Sequence, residues 1–287
     1  MDSRCIIYVF SGTGNTRLVA ERYRKELQLD TEIMEITSSY KSLPSPDYYD
    51  LVGIGYPVHA FNPPEIVVEF VKTLKAATKK KLFIFHTGGE GLPFNDSSSI
   101  QIRRILKKNF SILSERHYVM PYNMIYRHSD EMVRHMVTYM QALVKVHAVA
   151  IRAERFEREQ HMPLRHLISS IFRIEWFYAQ KQSRLMKVNK DCSSCGLCAR
   201  NCPMNNIRMV DGHPVFMDNC ILCVRCSFSC PENAISIGLL EGWKVNGPYD
   251  FKRILSDETI PESIPLNELP FLYRGYYRRL NKMLKEI

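Results

Sequence analysis

Cys5-Ile6-Ile7-Tyr8-Val9-Phe10 runs without a break into Ser11-Gly12-Thr13-Gly14-Asn15-Thr16. An apolar run of this length suits a strand buried on both faces, the habit of parallel sheets. Leu18, Val19, Tyr23 and Leu27 then recur at helical spacing, so residues 16–29 are expected to form the helix that follows. The turn between them holds two glycines and the polar side chains of Ser11, Thr13, Asn15 and Thr16. With the free N–H groups and positive end of the helix behind it, this turn is a cradle for a phosphate monoester. It lacks the lysine of a Walker A loop, and Arg17 stands where a dinucleotide fingerprint has its third glycine. Both departures point away from ATP and NAD.

Outward from this stretch the alternation continues. Residues 32–37 and 50–56 are expected strands, the latter ended by Pro57. After Pro63-Pro64 a helix presents Ile66, Val67, Phe70, Val71 and Leu74 on one side. A strand over 82–86, a helix over 100–110 and a strand over 117–120 complete the series. The pattern predicts an α/β domain with a doubly wound, five-stranded parallel sheet over residues 1–150. A ligand then belongs beyond the carboxyl ends of strands one, three and four. Residues 151–187 read as a helical linker interrupted at Pro163, with a charged, solvated stretch over 152–160. The apolar, aromatic and basic mixture of 164–186 suits packing between two domains and is also compatible with peripheral contact with a membrane.

Eight of the nine cysteines lie between Cys192 and Cys230, while Cys5 stands alone. A shift of 28 residues carries Cys192, Cys195, Cys198 and Cys202 onto Cys220, Cys223, Cys226 and Cys230, and Pro203 onto Pro231. Each run is C-x₂-C-x₂-C-x₃-C-P, the spacing of two-cluster [4Fe–4S] proteins. Three cysteines two apart wrap one cluster, and the fourth reaches the other. Cys192, Cys195, Cys198 and Cys230 are therefore expected to hold one cluster, and Cys220, Cys223, Cys226 and Cys202 the second. Zinc favours separated cysteine pairs instead. Thiolate ligands imply a reducing, cytoplasmic setting.

On these residues the chain resembles two families. Residues 1 to about 145 are similar to flavodoxin, whose phosphate loop has the form S/T-x-T-G-N-T. Residues 188–243 resemble a small α+β bacterial two-cluster ferredoxin-like domain. Order and size match flavodoxin–ferredoxin fusion proteins of anaerobic bacteria and archaea. The resemblance implies that Ser11, Gly12, Thr13, Gly14, Asn15 and Thr16 bind the phosphate of FMN. It implies that Tyr56, Pro57, Val58, His59, Ala60 and Phe61, and then Thr87, Gly88, Gly89 and Glu90, hold its ring, with Tyr56 or Phe61 able to stack on it. Residues 244–287, basic and aromatic, have no counterpart in either family and are expected to pack over the domain junction.

The net charge of +9 is spread out: +4 over 1–150, +4 over 151–187, −1 over 188–243 and +2 over 244–287. No basic stripe or reader motif marks a nucleic-acid partner. No run approaches the length of a transmembrane helix. Two clusters at about −2 each would make the cysteine module acidic, so the basic linker and first domain are expected to face an acidic module. The expected function is electron transfer between FMN, two [4Fe–4S] clusters and redox protein partners. The alternative is an enzyme, a flavin-dependent reductase of a small molecule fed by those clusters, with His59, Tyr56 or Glu90 supplying a proton.

Overall fold

The computed structural model describes residues 3–91, 95, 98–155 and 174–285. β1 (Arg4–Val9), β2 (Asp30–Glu35), β3 (Leu51–Pro57), β4 (Lys80–Gly88) and β5 (Phe110–Val119) form one sheet in the order β2-β1-β3-β4-β5. Every pairing is parallel, so the five-stranded doubly wound sheet is as expected. α1 (Asn15–Glu26) and α4 (Asp130–Arg152) cover one face, and α2 (Glu65–Thr73) and α3 (Ile100–Leu106) the other. From Cys5 to Phe10, Cys5, Ile7 and Val9 join the α1/α4 core, while Ile6, Tyr8 and Phe10, the residue after β1, join the α2/α3 core. This is the two-residue period of a strand, hidden in a string that is apolar throughout. β1 lies between β2 and β3, so the winding direction switches there and a crevice opens at the carboxyl ends.

The expected helix over 100–110 stops at Leu106, and the fifth strand, expected at 117–120, already begins at Phe110. Polar residues conceal this strand. Glu115 is buried within it, where Ser99 donates to its carboxylate and Arg103 approaches at 3.3 Å. The register also slips between Leu82 and Phe83, which leaves Leu113 without an opposite residue on β4.

Beyond the sheet, α5 (Ile174–Ser183) leads into the cysteine module. β6 (Lys187–Val188) pairs antiparallel with β9 (Ile235–Ser236), and β7 (Ile207–Val210) with β8 (His213–Phe216). α6 (Leu197–Asn201) and α7 (Arg225–Phe228) are single turns at matching points of the two cysteine runs. The 28-residue repeat is visible in the backbone. Left-handed conformations recur at Ser194 and Leu222, at Gly196 and Val224, and at Asn205 and Asn233. Around Met186, Val224, Ile235 and Ile237 the module builds only a small apolar cluster. A core of that size does not stabilise a domain without further cross-links. Pro163 and most of the charged and linker stretches lie outside the described residues. Among those described, no helix is long and apolar enough to cross a membrane.

The chain then returns to the sheet domain through α8 (Phe251–Ser256) and α9 (Phe271–Lys285). Tyr273, Tyr276, Tyr277 and Leu280 recur at helical spacing and enter the same core as α1 and α4. Tyr277 meets His135 at 4.3 Å and Tyr139 at 4.9 Å, both edge-on. The closing helix thus completes the sheet domain rather than capping the junction, because its aromatic stripe matches the face of α4. Replacing the fully buried Tyr277 by alanine should cost about 3–5 kcal/mol of that domain's stability, as large core aromatics do. Urea unfolding measures it; a loss under about 1 kcal/mol would mean the helix is merely appended.

Candidate functional site

A cavity of about 690 Å³ opens at the carboxyl ends of β1, β3 and β4. Ser11, Gly12, Thr13, Asn15 and Thr16 line it from the first loop, Pro57, Val58, His59, Ala60 and Phe61 from the second, and Thr87, Gly88, Gly89 and Glu90 from the third. Two expected residues do not. Gly14 is the N-cap of α1, at φ 107°. Tyr56 shares the parity of Val52 and Ile54 in β3, so it is buried in the α2/α3 core and stacks on His86 at 5.7 Å. Tyr56 is therefore not placed to stack on a ring in the cavity; Phe61 remains.

The loops are tied to one another by side chains of the first. Asn15 Nδ2 donates to the Pro121 carbonyl at 2.7 Å, and the hydroxyls of Thr16 and Thr87 bond at 2.8 Å. Ser11 Oγ accepts from the Arg17 N–H at 3.2 Å. Gly14, the N-cap of α1, supplies no side-chain cap, the first turn holds no acidic residue, and Ser11 takes the Arg17 N–H. The positive end of the helix dipole and the N–H groups ahead of Arg17 therefore face an anion with no carboxylate in the way. In the second loop Ala60 and Phe61 both take positive φ, held by reciprocal His59–Asn62 backbone bonds of 2.8 Å. Strain of this kind, held in place by its surroundings, is typical of ligand sites. Burial lowers the pKa of His59 to about 4, so it is neutral at pH 7.

A fourth wall, Met120–Ile125 after β5, was not anticipated. The tyrosines of Pro121-Tyr122-Asn123-Met124-Ile125-Tyr126, between a strand and a helix, were its only signal. Gly89 is required by this wall, since a Cβ there would lie 2.2 Å from the Tyr122 ring. Two histidines behind the loops have their tautomers set by hydrogen bonding. His128 Nδ1 accepts from the Tyr122 N–H, so its Nε2–H donates to the Tyr273 hydroxyl at 2.9 Å, and that hydroxyl donates to the Gly89 carbonyl. His117 Nε2–H donates to the Glu90 carbonyl at 3.1 Å, so its Nδ1 accepts from His86 Nδ1–H at 3.0 Å. Both rings are neutral in this arrangement, and burial lowers their pKa values, to about 4 for His128 and about 3 for His117.

The cysteines gather in two small cavities. Cys192, Cys195, Cys198 and Cys230 line one, and Cys202, Cys220, Cys223 and Cys226 the other. Each fourth cysteine thus stands with the opposite run. Backbone N–H groups point at three sulfurs, from Asn206 to Cys202 at 3.2 Å and, 28 residues on, from Ala234 to Cys230 at 3.3 Å, with Leu222 donating to Cys220 at 3.3 Å. Among the described residues, no three His, Cys, Asp or Glu side chains converge as ligands of a single metal ion.

The second cysteine cavity abuts the first loop. Leu222, Cys223 and Val224 belong to the wall of the large cavity as well as to the cysteine site. Arg225 Nε donates to the Gly12 carbonyl at 2.9 Å, and Nη2 to the Ser11 carbonyl at 2.5 Å and to the Glu35 carboxylate. The Ser38 N–H also donates to the Pro203 carbonyl at 2.8 Å. The expected sense of charge is therefore reversed at the contact. The cation comes from the cysteine module and the carboxylate from the basic domain, because local geometry outweighs a diffuse net charge.

A family model described as a flavodoxin domain matches residues 5–163. Among solved structures, the flavodoxin of Streptococcus pneumoniae TIGR4 is similar at 18% identity, over 53% of this chain and 99% of its own, with a TM-score of 0.37. A WrbA-like flavodoxin from Agrobacterium tumefaciens is similar at 12% identity, over 53% and 99%, with a TM-score of 0.38. A flavoprotein of Lactobacillus acidophilus, solved in complex with FMN, is similar at 16% identity, over 40% and 93%, with a TM-score of 0.32. No curated protein matches the chain.

The neutral histidines set an acid limit. Below the ordinary histidine value of about 6.5 the unfolded chain binds protons that buried His117, His128 and His135 do not, so stability falls as pH drops from about 6.5 towards 4. His135 Nδ1 accepts from the Ile264 N–H at 2.9 Å, a bond a glutamine can retain. His135→Gln should therefore flatten the slope of unfolding free energy against pH by about 1 kcal/mol per pH unit between pH 4.5 and 6. Urea titrations at several pH values check it; an unchanged slope rules out the neutral buried ring.

Proposed function

Because the chain belongs to the flavodoxin domain family, we propose that its large cavity holds one FMN, that its cysteine sites hold two [4Fe–4S] clusters, and that it relays electrons between them and a redox partner. The observation that carries this reading is the crossed grouping of the eight cysteines, four to a cavity, beside a phosphate cradle at the switch point of the sheet. Bound there, FMN would exchange one or two electrons and each cluster one.

The residues present fit these groups. The start of α1, which carries no acidic residue, and the polar side chains of the first loop suit a dianionic phosphate monoester. Phe61 and the backbone of Thr87–Glu90 line the space a flat ring would take. For the clusters, the fit lies in the sulfur sets and the N–H groups aimed at them, which stabilise thiolate charge. One ion would need its thiolates about 3.8 Å apart; a four-iron cube carries each on its own iron and does not. Residues 188–243 are proposed as the ferredoxin-like domain, and its small apolar cluster suits a fold completed by its metal.

The enzyme reading keeps one supporting observation. His59 and Glu90 both line the cavity, and Trp243 and Tyr178 form a half-exposed aromatic mouth above it. A small molecule that reoxidises the reduced protein with turnover at ~1–10³ s⁻¹ would establish it.

Anaerobic purification followed by flavin, iron and sulfide analysis tests the main proposal, with about eight irons and one FMN per chain expected. Cys230→Ala should lower the iron to about four by removing the cluster of Cys192, Cys195 and Cys198 and sparing the one beside its own run. A colourless oxygen-free preparation, or one holding zinc alone, sinks the reading.

A further inference from the structure

Resting on that two-cluster reading, we propose an order for the relay. The cluster of Cys202, Cys220, Cys223 and Cys226 exchanges electrons with the flavin, that of Cys192, Cys195, Cys198 and Cys230 is the outlet to the partner, and Arg225 is the positioning residue that couples flavin and clusters.

The two sites are not equivalent in space. Cys223 belongs to the wall of the large cavity, and none of Cys192, Cys195, Cys198 or Cys230 does. The contact is tight enough to dictate a residue type. A Cβ on Gly12 would lie 2.6 Å from the Cys223 carbonyl oxygen and 3.3 Å from its Cβ. The phosphate loop and the cysteine loop therefore touch backbone to backbone. The opposite site faces outward. Cys195 is exposed, and Met209 of the neighbouring hairpin, which lines the same small cavity, presents apolar surface to solvent beside it. Apolar surface next to an exposed ligand suits the transient docking of a redox protein.

Arg225 joins these parts. Besides Ser11, Gly12 and Glu35 it donates to the carbonyl of Asn201, the residue before Cys202. One guanidinium thus pins both segments of the inner cysteine site to the loop that would hold the phosphate. Its fixed fork of donors suits this use, and a charged donor makes each bond stronger than a neutral one.

The balance closes. Two electrons leave the fully reduced flavin, one reaching each cluster through the inner site, while the flavin's protons return to water. The reverse flow delivers two electrons to the flavin from two one-electron deliveries at the outer site.

The test uses the full chain, loaded without oxygen. Arg225→Gln should keep its flavin and about eight irons, raise hydrogen exchange in the peptide spanning residues 10–16, and slow flavin-to-cluster transfer after flash reduction about ten-fold, the weight of the lost charged hydrogen bonds. Arg225→Lys should restore part of the rate. Unchanged exchange and rate in Arg225→Gln overturn the coupling role. For the order, Cys195→Ala should retain the fast phase and Cys220→Ala should lose it, each with about four irons left; the opposite pattern overturns it. Wild-type protein without flavin or iron would fail the two-cluster reading itself, a result separable from both.

Discussion

One turn of chain, Ser11-Gly12, faces two ways, and the arrangement of the whole molecule depends on it. Ser11, the Gly12 backbone and the start of α1 border the cavity, while the two carbonyls accept hydrogen bonds from the guanidinium of Arg225. A peptide unit has a donor side and an acceptor side. Here the acceptor side is taken up by the cysteine module, which leaves the donor side for an anion. The same turn must also be thin, because Cys223 leaves no room for a side chain at Gly12. A glycine that looks like part of a phosphate motif is thus equally a docking surface.

The sheet was legible from residues 5–16 outward because buried parallel strands are continuous apolar strings and each is followed by an amphipathic helix. The cysteine sets were legible because ligand spacing is a local property: the crossed grouping follows from x₂, x₂ and x₃ alone. What the sequence hid was whatever depended on meeting a distant segment. Glu115, Arg116 and His117 look like surface in the sequence and so hide the first half of β5; Glu115 and His117 are accounted for only by Ser99, Arg103 and His86. Tyr56 stands at a strand end beside the loop, and strand parity sends it to the α2/α3 core instead of the cavity. The Met120–Ile125 wall carried no motif.

Arg225 shows the same limit from another side. Within its motif it occupies an x position of C-x₂-C, where spacing assigns nothing. Net charge by segment even pointed to the opposite sense of attraction. Net charge speaks to encounter over distances comparable to the Debye length. A contact at 2.9 Å is decided by which carbonyls and which carboxylate lie within reach of one side chain.

Chain order explains why so small a contact is enough. The chain leaves the sheet domain after α4, builds the cysteine module, and comes back to place α9 against α4. The module is therefore tethered at both ends to the body it docks on. Docking of a tethered segment is intramolecular, with an effective concentration in the millimolar range for short links. No large apolar interface is then needed to hold it, and a few directed hydrogen bonds can set the register. The return also explains the aromatic closing helix. Tyr273 donates to the Gly89 carbonyl and Tyr276 to that of His117, so the segment that closes the tether also braces the third loop and the end of β5. The wall contributed by the module and the walls contributed by the sheet are thereby held by one continuous piece of chain, and a displacement of either would be felt by the cavity between them.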